Sequence, residues 1–305
     1  MKKDIAIIGS GAAGLTAALY GARAGLSTVV FDGKGGQILE IDRLENFPGI
    51  FPFVSGSDFL SALKNQAESF GAEFVFEKAE SIDKKGSFFV IKTASGNIYE
   101  SKTLIYAAGA LHSRLNVPGE RELSGKGVSY CAVCDGPFFK NKKVSVVGGG
   151  DSACSEALYL SNIASQVDIF HRRGQFRASD YLVKKVLSNE KIKVHFNTEV
   201  TEISGRNHVD SLVVKNTESG VIEKFETDAV FVFTGMKPST ALVEILKKDS
   251  SGYIITDEKM QTKVPGLYAA GDVRAKPLRQ VLTAASDGAI AAMSAAEYVK
   301  ISCNC

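Results

Sequence analysis

The chain lacks any strong charge imbalance: 36 Lys and Arg stand against 34 Asp and Glu, a net +2. Whole-molecule electrostatics therefore call for neither a nucleic acid nor a membrane surface as partner. No stretch of about 18 continuous apolar residues occurs, so no membrane span is expected. Cysteines are few and odd in number, five in 305 residues. That excludes a disulfide scaffold and suits a cytoplasmic protein whose disulfides are chemical rather than structural. The four histidines (His112, His171, His195, His208) are scattered without ligand spacing, which argues against a metal site. Low-complexity and strongly charged tracts are absent.

What is present is a soluble composition, 45% hydrophobic and 23% charged, on a chain long enough for two domains. The N-terminal "MKKDIAIIGSGAAGLTAALYGA" has the look of a signal peptide. Asp4 and three regularly spaced glycines argue against that reading. The same stretch recurs. Residues 5–32, "IAIIGSGAAGLTAALYGARAGLSTVVFD", lie over 144–171, "VSVVGGGDSACSEALYLSNIASQVDIFH", without a gap. Gly9 falls on Gly148, Gly11 on Gly150, Gly14 on Ala153, and Ala18-Leu19-Tyr20 on Ala157-Leu158-Tyr159.

Each copy reads as a short apolar strand, a Gly-rich turn, an amphipathic helix and a second strand, the dinucleotide-binding βαβ unit. The turns are Gly9-Ser10-Gly11-Ala12-Ala13-Gly14 and Gly148-Gly149-Gly150-Asp151-Ser152-Ala153. The first glycine permits the tight turn, the second lets a pyrophosphate approach the backbone, and the third position must be small for helix to pack on strand. The pyrophosphate then meets free N–H groups at a helix N-terminus.

The two copies differ where the second strand ends, at the position that reads the adenosine ribose. Copy one ends in Asp32, which can accept from ribose hydroxyls. Copy two ends in His171-Arg172-Arg173, with Arg177 one turn on. A carboxylate repels a 2′-phosphate and two arginines clamp it. Charge-assisted hydrogen bonds of about 1.5–3 kcal/mol each favour NADPH over NADH by roughly two orders of magnitude or more. With NADPH in the second unit, FAD is the natural occupant of the first, because a bound flavin accepts hydride from a nicotinamide. Gly35-Gly36-Gln37 reads as a flexible turn able to wrap a flavin, and Glu45-Asn46-Phe47-Pro48-Gly49 as a polar loop with a stiff exit. Taken alone, each reads more readily as a plain loop.

Apolar strands ending in glycine, Thr103–Gly109 and Ala229–Gly235, close the two units. "VPGLYAAGDV" (264–273) reads as a further strand ending in Gly271-Asp272, followed by a helix with a small-residue face. That last segment needs a partner in the first unit. The expected architecture is α/β, with two Rossmann-like dinucleotide-binding domains. An NADPH domain (114–235) is inserted into a discontinuous FAD domain (1–113 and 236–305). Pro and Gly at both crossings, "RLNVPGE" and "GMKPST", suit linkers or hinges.

"SYCAVCDG" (129–136) places Cys131 and Cys134 in the second domain, just before its first strand (Val144–Val147). Zinc needs two more ligands, and only Cys303 and Cys305 have suitable spacing. A redox pair fits better, with one thiol exposed for exchange and the other facing an electron donor. Asp135 is placed to move the proton that dithiol–disulfide interconversion requires. Its alternative is a turn residue before Gly136.

In this set of motifs the chain resembles the low-molecular-weight thioredoxin reductases over essentially its whole length: GSGAAG, GGQ, ENFPG, SYCAVCDG, GGGDSA, HRRGQFRA, Gly271-Asp272 and LRQV, in order. The resemblance implies NADPH-to-FAD-to-disulfide electron flow and a homodimer. It implies that Cys134 faces the flavin, that Cys131 attacks the thioredoxin disulfide, and that Asp135 is the acid/base. Arg279-Gln280-Val281 would contact the isoalloxazine and Asp272 the ribityl or phosphate side. It also implies an NADPH domain that rotates between two positions. Asn46 and Gly109 join the expected FAD contacts. Departures are Gly174, where the family often has an acid, and Ala12, where proline is common. Cys154 reads as a small core thiol. The tail "SCNC" reads as a frayed terminus or, less favoured, a dithiol relay.

Rival readings are a flavoprotein reducing a peroxiredoxin-type partner, and a non-enzymatic redox sensor. The first usually carries an extra N-terminal dithiol module, whereas here the chain opens on the FAD strand. The second predicts flavin reduction without turnover.

Overall fold

The computed structural model describes residues 2–31, 36–41, 44 and 46–303, the side chains of 40, 302 and 303 excepted. The chain divides into two compact units, 1–111 with 237–305, and 112–236. Both are α/β with parallel sheets at their centres.

The first unit opens with β1 (Lys2–Ile8), α1 (Ala12–Arg23) and β2 (Thr28–Phe31). Then come α2 (Gly56–Ser69), β3 (Glu73–Val75), β4 (Ala79–Lys85), β5 (Phe88–Thr93) and β6 (Ile98–Tyr106). The sheet order is β3-β2-β1-β6-β5-β4. β1 runs parallel to both β2 and β6, whereas β4 and β5 form an antiparallel extension. Ile5, Ile7, Val30, Leu104 and Ile105 are buried in it, the near-continuous apolar pattern expected of parallel strands covered on both faces.

A short strand, β7 (Ala110–His112), leads out of this unit. The second unit contains β8 (Val128–Ser129), α3 (Ala132–Asp135), β9 (Lys143–Gly148), α4 (Asp151–Ser161), β10 (Gln166–Phe170), α5 (Asp180–Leu187) and β11 (Ile192–His195). A three-stranded antiparallel sheet, β12 (Thr198–Ser204), β13 (Ser211–Asn216) and β14 (Ile222–Glu226), follows before β15 (Ala229–Phe233). The main sheet is all parallel, in the order β11-β10-β9-β15-β8. β16 (Met236–Pro238) returns the chain and pairs with β7. The final stretch adds β17 (Leu267–Ala269), parallel to β6, and α6 (Val281–Cys303).

From β1 the chain steps outward through β2 and β3, and β6 later takes the other side of β1; from β9 it steps outward through β10 and β11, and β15 then takes the other side of β9. The gaps between β1 and β6, and between β9 and β15, are therefore topological switch points, where doubly wound sheets bind ligands at the strand C-termini. Each Gly-rich turn leaves its sheet there. The small-residue face expected on α6 packs against α1. A Cβ at Gly288 would lie 2.1 Å from the Ala13 carbonyl oxygen, so the helices approach this closely only because the residue is glycine.

The segment 264–273 is a shorter strand than the sequence suggests. The turn at Pro265-Gly266, closed by the Leu267 N–H on the Val264 carbonyl, delays its start, and Gly271–Val273 forms a single 3-10 turn. Gln37 likewise opens a 3-10 turn (Gln37–Glu40) rather than lying in a loose loop.

Candidate active site

The two Gly-rich turns leave the same chemistry exposed. α1 is preceded by Gly11 and α4 by Gly150, and neither helix receives a side-chain cap. Their first N–H groups are thus left for an outside acceptor. Around Gly150 there is open space where a side chain would stand. Ser10, Ala12, Ala13, Ser152 and Ala153 lie on these turns as expected. Asp151 is committed elsewhere, its Oδ1 accepting the Ser179 N–H at 2.8 Å.

Beyond β10, the turn that begins at His171 is pinned by its backbone. The Arg177 N–H donates to the Gly149 carbonyl at 2.7 Å and the Asn197 N–H to the Arg173 carbonyl at 3.1 Å. Arg172, Arg173 and Arg177 are exposed, and among the described residues none of them is held in an ion pair. His171 is buried beneath them, with Nε2 donating to the Gln175 carbonyl at 3.1 Å. Burial, then the three arginines, hold its imidazole below the ordinary histidine pKa.

The cysteine pair is built on the edge of the second sheet. β8 pairs in parallel with β15, Val128 beside Val230 and Ser129 beside Phe231. Two residues on, Cys131 caps α3, and Cys131 and Cys134 are joined as a disulfide. The Cys134 N–H points at Cys131 Sγ, 3.2 Å away. A donor so placed favours a thiolate on Cys131 once the bond is reduced. Gly136 packs this turn closely on α4, where a Cβ would stand 3.0 Å from the Leu160 side chain and 3.4 Å from the Tyr159 ring. Burial raises the Asp135 carboxyl above its ordinary pKa, opposed by a hydrogen bond from Ser129.

In the first unit, Asn46 Nδ2 donates to Gln280 Oε1 at 3.0 Å, and the Gln37 side chain donates to the Ala110 carbonyl. The Arg279 guanidinium lies 3.9 Å from the Tyr253 ring centre, with a buried Nε that has no hydrogen-bond partner among the described residues. Asp272 pairs with Lys276 at 3.2 Å; burial raises its pKa despite that partner. Gly271 follows β17, Val281 opens α6, and Gly109 lies past the end of β6. Asp32, Gly35 and Cys305 lie outside the described residues, as does the side chain of Cys303.

The pyridine nucleotide-disulphide oxidoreductase family matches residues 3–288. A thioredoxin reductase of Treponema pallidum (strain Nichols) is 48% identical over 298 residues, covering 97% of each chain. One from Bacillus subtilis (strain 168) is 43% identical, covering 97% of this chain and 95% of that one. The crystal structure of thioredoxin reductase from Streptococcus pyogenes MGAS5005 superposes with a TM-score of 0.93 at 40% identity, covering 98% and 99%. The chain belongs to this family. It is an oxidoreductase, of a family that works with a flavin and a pyridine nucleotide.

The residues present fit both groups. Two uncapped helix N-termini at switch points suit two pyrophosphates, and the exposed arginines of the 171–177 turn suit a phosphorylated ribose. The buried, partnerless Nε of Arg279 is the kind of donor a bound ring system would satisfy.

Several residues escaped the sequence reading. Asp287, buried on α6, accepts the Gly271 N–H at 3.0 Å and pairs with Arg274 and Lys276, each at 3.1 Å. An acid set among the small residues of the first half of α6 is the available signal. Asp168 and His195 pair at 2.8 Å across β10 and β11. Glu120 is wholly buried, taking the Leu115 and Asn116 N–H groups and the Tyr130 hydroxyl at 2.7–2.9 Å. Cys154 is a buried core thiol with its pKa pushed up to about 11 by burial, then by Asp151.

Proposed function

We propose that the protein is an NADPH-dependent, FAD-containing thioredoxin-disulfide reductase. FAD belongs to the unit formed by 1–113 and 236–305, and NADPH to 114–235. When bound, the flavin supplies hydride acceptance from NADPH and delivery of two electrons to the Cys131–Cys134 disulfide. The turn at 9–14, Asn46, Asp272 and Arg279–Val281 hold it. The turn at 148–153 and Arg172, Arg173 and Arg177 hold NADPH, with the arginines on its 2′-phosphate.

The remaining chemistry is the protein's own. In the dithiol form, Cys131 gives its proton to Asp135 and attacks the thioredoxin disulfide. A bond forms from Cys131 Sγ to the near thioredoxin sulfur, the thioredoxin S–S bond breaks, and the leaving thiolate takes the proton from Asp135. Cys134 then attacks Cys131 Sγ, which re-forms the Cys131–Cys134 bond and breaks the bond to the near thioredoxin sulfur, and the proton of Cys134 follows the same route to that sulfur. The protein's dithiol is oxidised by two electrons and thioredoxin is reduced by two.

The observation that carries this reading is the Cys131–Cys134 disulfide on a helix cap, with a half-buried carboxyl of raised pKa one residue on. The named activity of relatives at 43–48% identity supports thioredoxin as the acceptor. A homodimer in the cytoplasm is the expected working form, and among the described residues no helix is long and apolar enough to cross a membrane.

The test is NADPH oxidation by the purified yellow protein with oxidised thioredoxin, with an oxidised peroxiredoxin-type protein, and with no acceptor. Turnover confined to thioredoxin supports the reading. Turnover confined to the other acceptor reassigns the partner, and none with either points to the sensor.

A further inference from the structure

Ser129 was read from the sequence only as part of the cysteine motif. It ends β8 and is buried, 4% exposed. Its Oγ donates to Asp135 Oδ2 at 2.5 Å and accepts the Cys131 N–H at 3.1 Å. The Cys131 carbonyl also lies within 3.3 Å of the same Oγ. A hydroxyl has one proton to give, and the shorter, charge-assisted contact to a carboxylate takes it. The Cys131 N–H then fills a lone pair. Among the described residues, Ser129 is the only group that hydrogen-bonds the Asp135 carboxyl.

The register of β8 on β15 fixes where this hydroxyl sits. Ser129 is paired beside Phe231, in the middle of a strand that is itself buried. The hydroxyl is therefore anchored to the sheet, whereas Cys131 and Asp135 belong to a four-residue helix with little rigidity of its own. A second anchor comes from Tyr130, whose hydroxyl reaches buried Glu120 at 2.9 Å. The pair of bonds at Ser129 thus transmits the sheet's rigidity to the acid/base carboxyl and to the backbone of the attacking cysteine together.

We propose that Ser129 is a positioning residue for dithiol–disulfide exchange, its hydroxyl tying the Asp135 carboxyl to the backbone of Cys131. This rests on the reading of Asp135 as proton carrier given above. Each proton that leaves Cys131 or Cys134 for a thioredoxin thiolate passes through a carboxyl held in one orientation. Without the hydroxyl, the Asp135 carboxyl loses the only hydrogen bond it makes among the described residues and is free to turn away. The bond opposes the effect of burial on this group, so its loss moves the carboxyl's titration further upward.

The experiment compares the intact flavoprotein with Ser129→Ala, Ser129→Thr and Asp135→Asn, measuring thioredoxin-dependent kcat and KM across pH. Far-UV circular dichroism and bound-flavin absorbance report whether each variant is folded. Asp135→Asn identifies the limb of the pH profile that belongs to the carboxyl. In Ser129→Ala that limb moves to higher pH and kcat falls on the order of tenfold, a part of what a positioned acid–base group contributes. KM for thioredoxin stays within about twofold, and Ser129→Thr, which keeps the hydroxyl, restores the limb. A folded Ser129→Ala with the wild-type limb and kcat, beside a crippled Asp135→Asn, overturns the proposal and leaves the Asp135 reading standing. Wild-type turnover in Asp135→Asn overturns that reading and this proposal with it.

Discussion

The His171 ring lies so close to Gly149 that a Cβ on the glycine would stand 2.3 Å from its ring atoms. The buried imidazole therefore forms the floor of the Gly-rich turn, and the middle one of the three consecutive glycines 148–150 is needed for steric reasons. Gly149→Ala must push the ring aside and disturb the bond between the Arg177 N–H and the Gly149 carbonyl. Overpacking of this kind costs about 1–3 kcal/mol. The expected result is a KM for NADPH raised roughly tenfold or more, with thioredoxin KM unchanged, read by steady-state kinetics.

Arg172 and Arg173 stand exposed, and among the described residues free of ion pairs, on a turn whose backbone is already fixed. If they clamp a 2′-phosphate, Arg172→Ala with Arg173→Ala reduces kcat/KM for NADPH by on the order of a hundredfold, while that for NADH changes little. The ratio of the two coenzyme efficiencies measures this directly. Equal losses with both coenzymes would assign the arginines to general binding instead.

The buried cluster on α6 makes a stability prediction. Lys276 is only 4% exposed at its side chain, and Asp287 stands between it and Arg274. Asp287→Ala leaves two buried cations short of an anion and frees the Gly271 N–H. Breaking a buried ion pair by removing one partner costs about 3–5 kcal/mol. The melting temperature should drop by several degrees, and the flavin should be retained less well, since Gly271-Asp272 loses its support.

His112 gives a pH dependence of stability. Stacked on Tyr130 at 5.0 Å, its pKa is lowered from 6.5 to about 4 by burial first and then by Arg114. Above about pH 6.5 the ring is neutral both folded and unfolded, so it contributes nothing to the slope. Between there and about pH 4 only the unfolded chain takes up the proton, so stability falls as pH falls. His112→Phe keeps a ring against Tyr130 and removes the titration. Melting curves across that window should show a smaller acid loss in the variant than in the wild type.

What could be read from the sequence was local or repeated. The two Gly-rich turns, the strands and helices around them, and the C-x-x-C pair are carried by adjacent residues, and the internal repeat doubled the signal. The fold class followed from them. What escaped depends on distant pairing. β8 is two residues long, too short for any periodicity, and exists because β15 lies beside it. Ser129 has a visible role only once that strand is in place. Asn46 and Gln280 meet 234 residues apart. The antiparallel sheet of β12, β13 and β14 is not legible in the sequence: its strands mix polar and apolar residues, and the burial of Val200, Ile203, Leu212 and Val214 on one face depends on the strands of the main sheet packed against them. Asp287 pairs with groups seen in sequence only as a polar tail to "GDV".

The most direct test of the account is thioredoxin-dependent NADPH oxidation by the wild-type flavoprotein beside Cys134→Ser. The account predicts rapid turnover in the wild type and none above background in the variant, with the variant's flavin still bleached by NADPH. Thioredoxin-dependent turnover that survives in Cys134→Ser would contradict it, because electrons would then reach thioredoxin without passing through the Cys131–Cys134 pair.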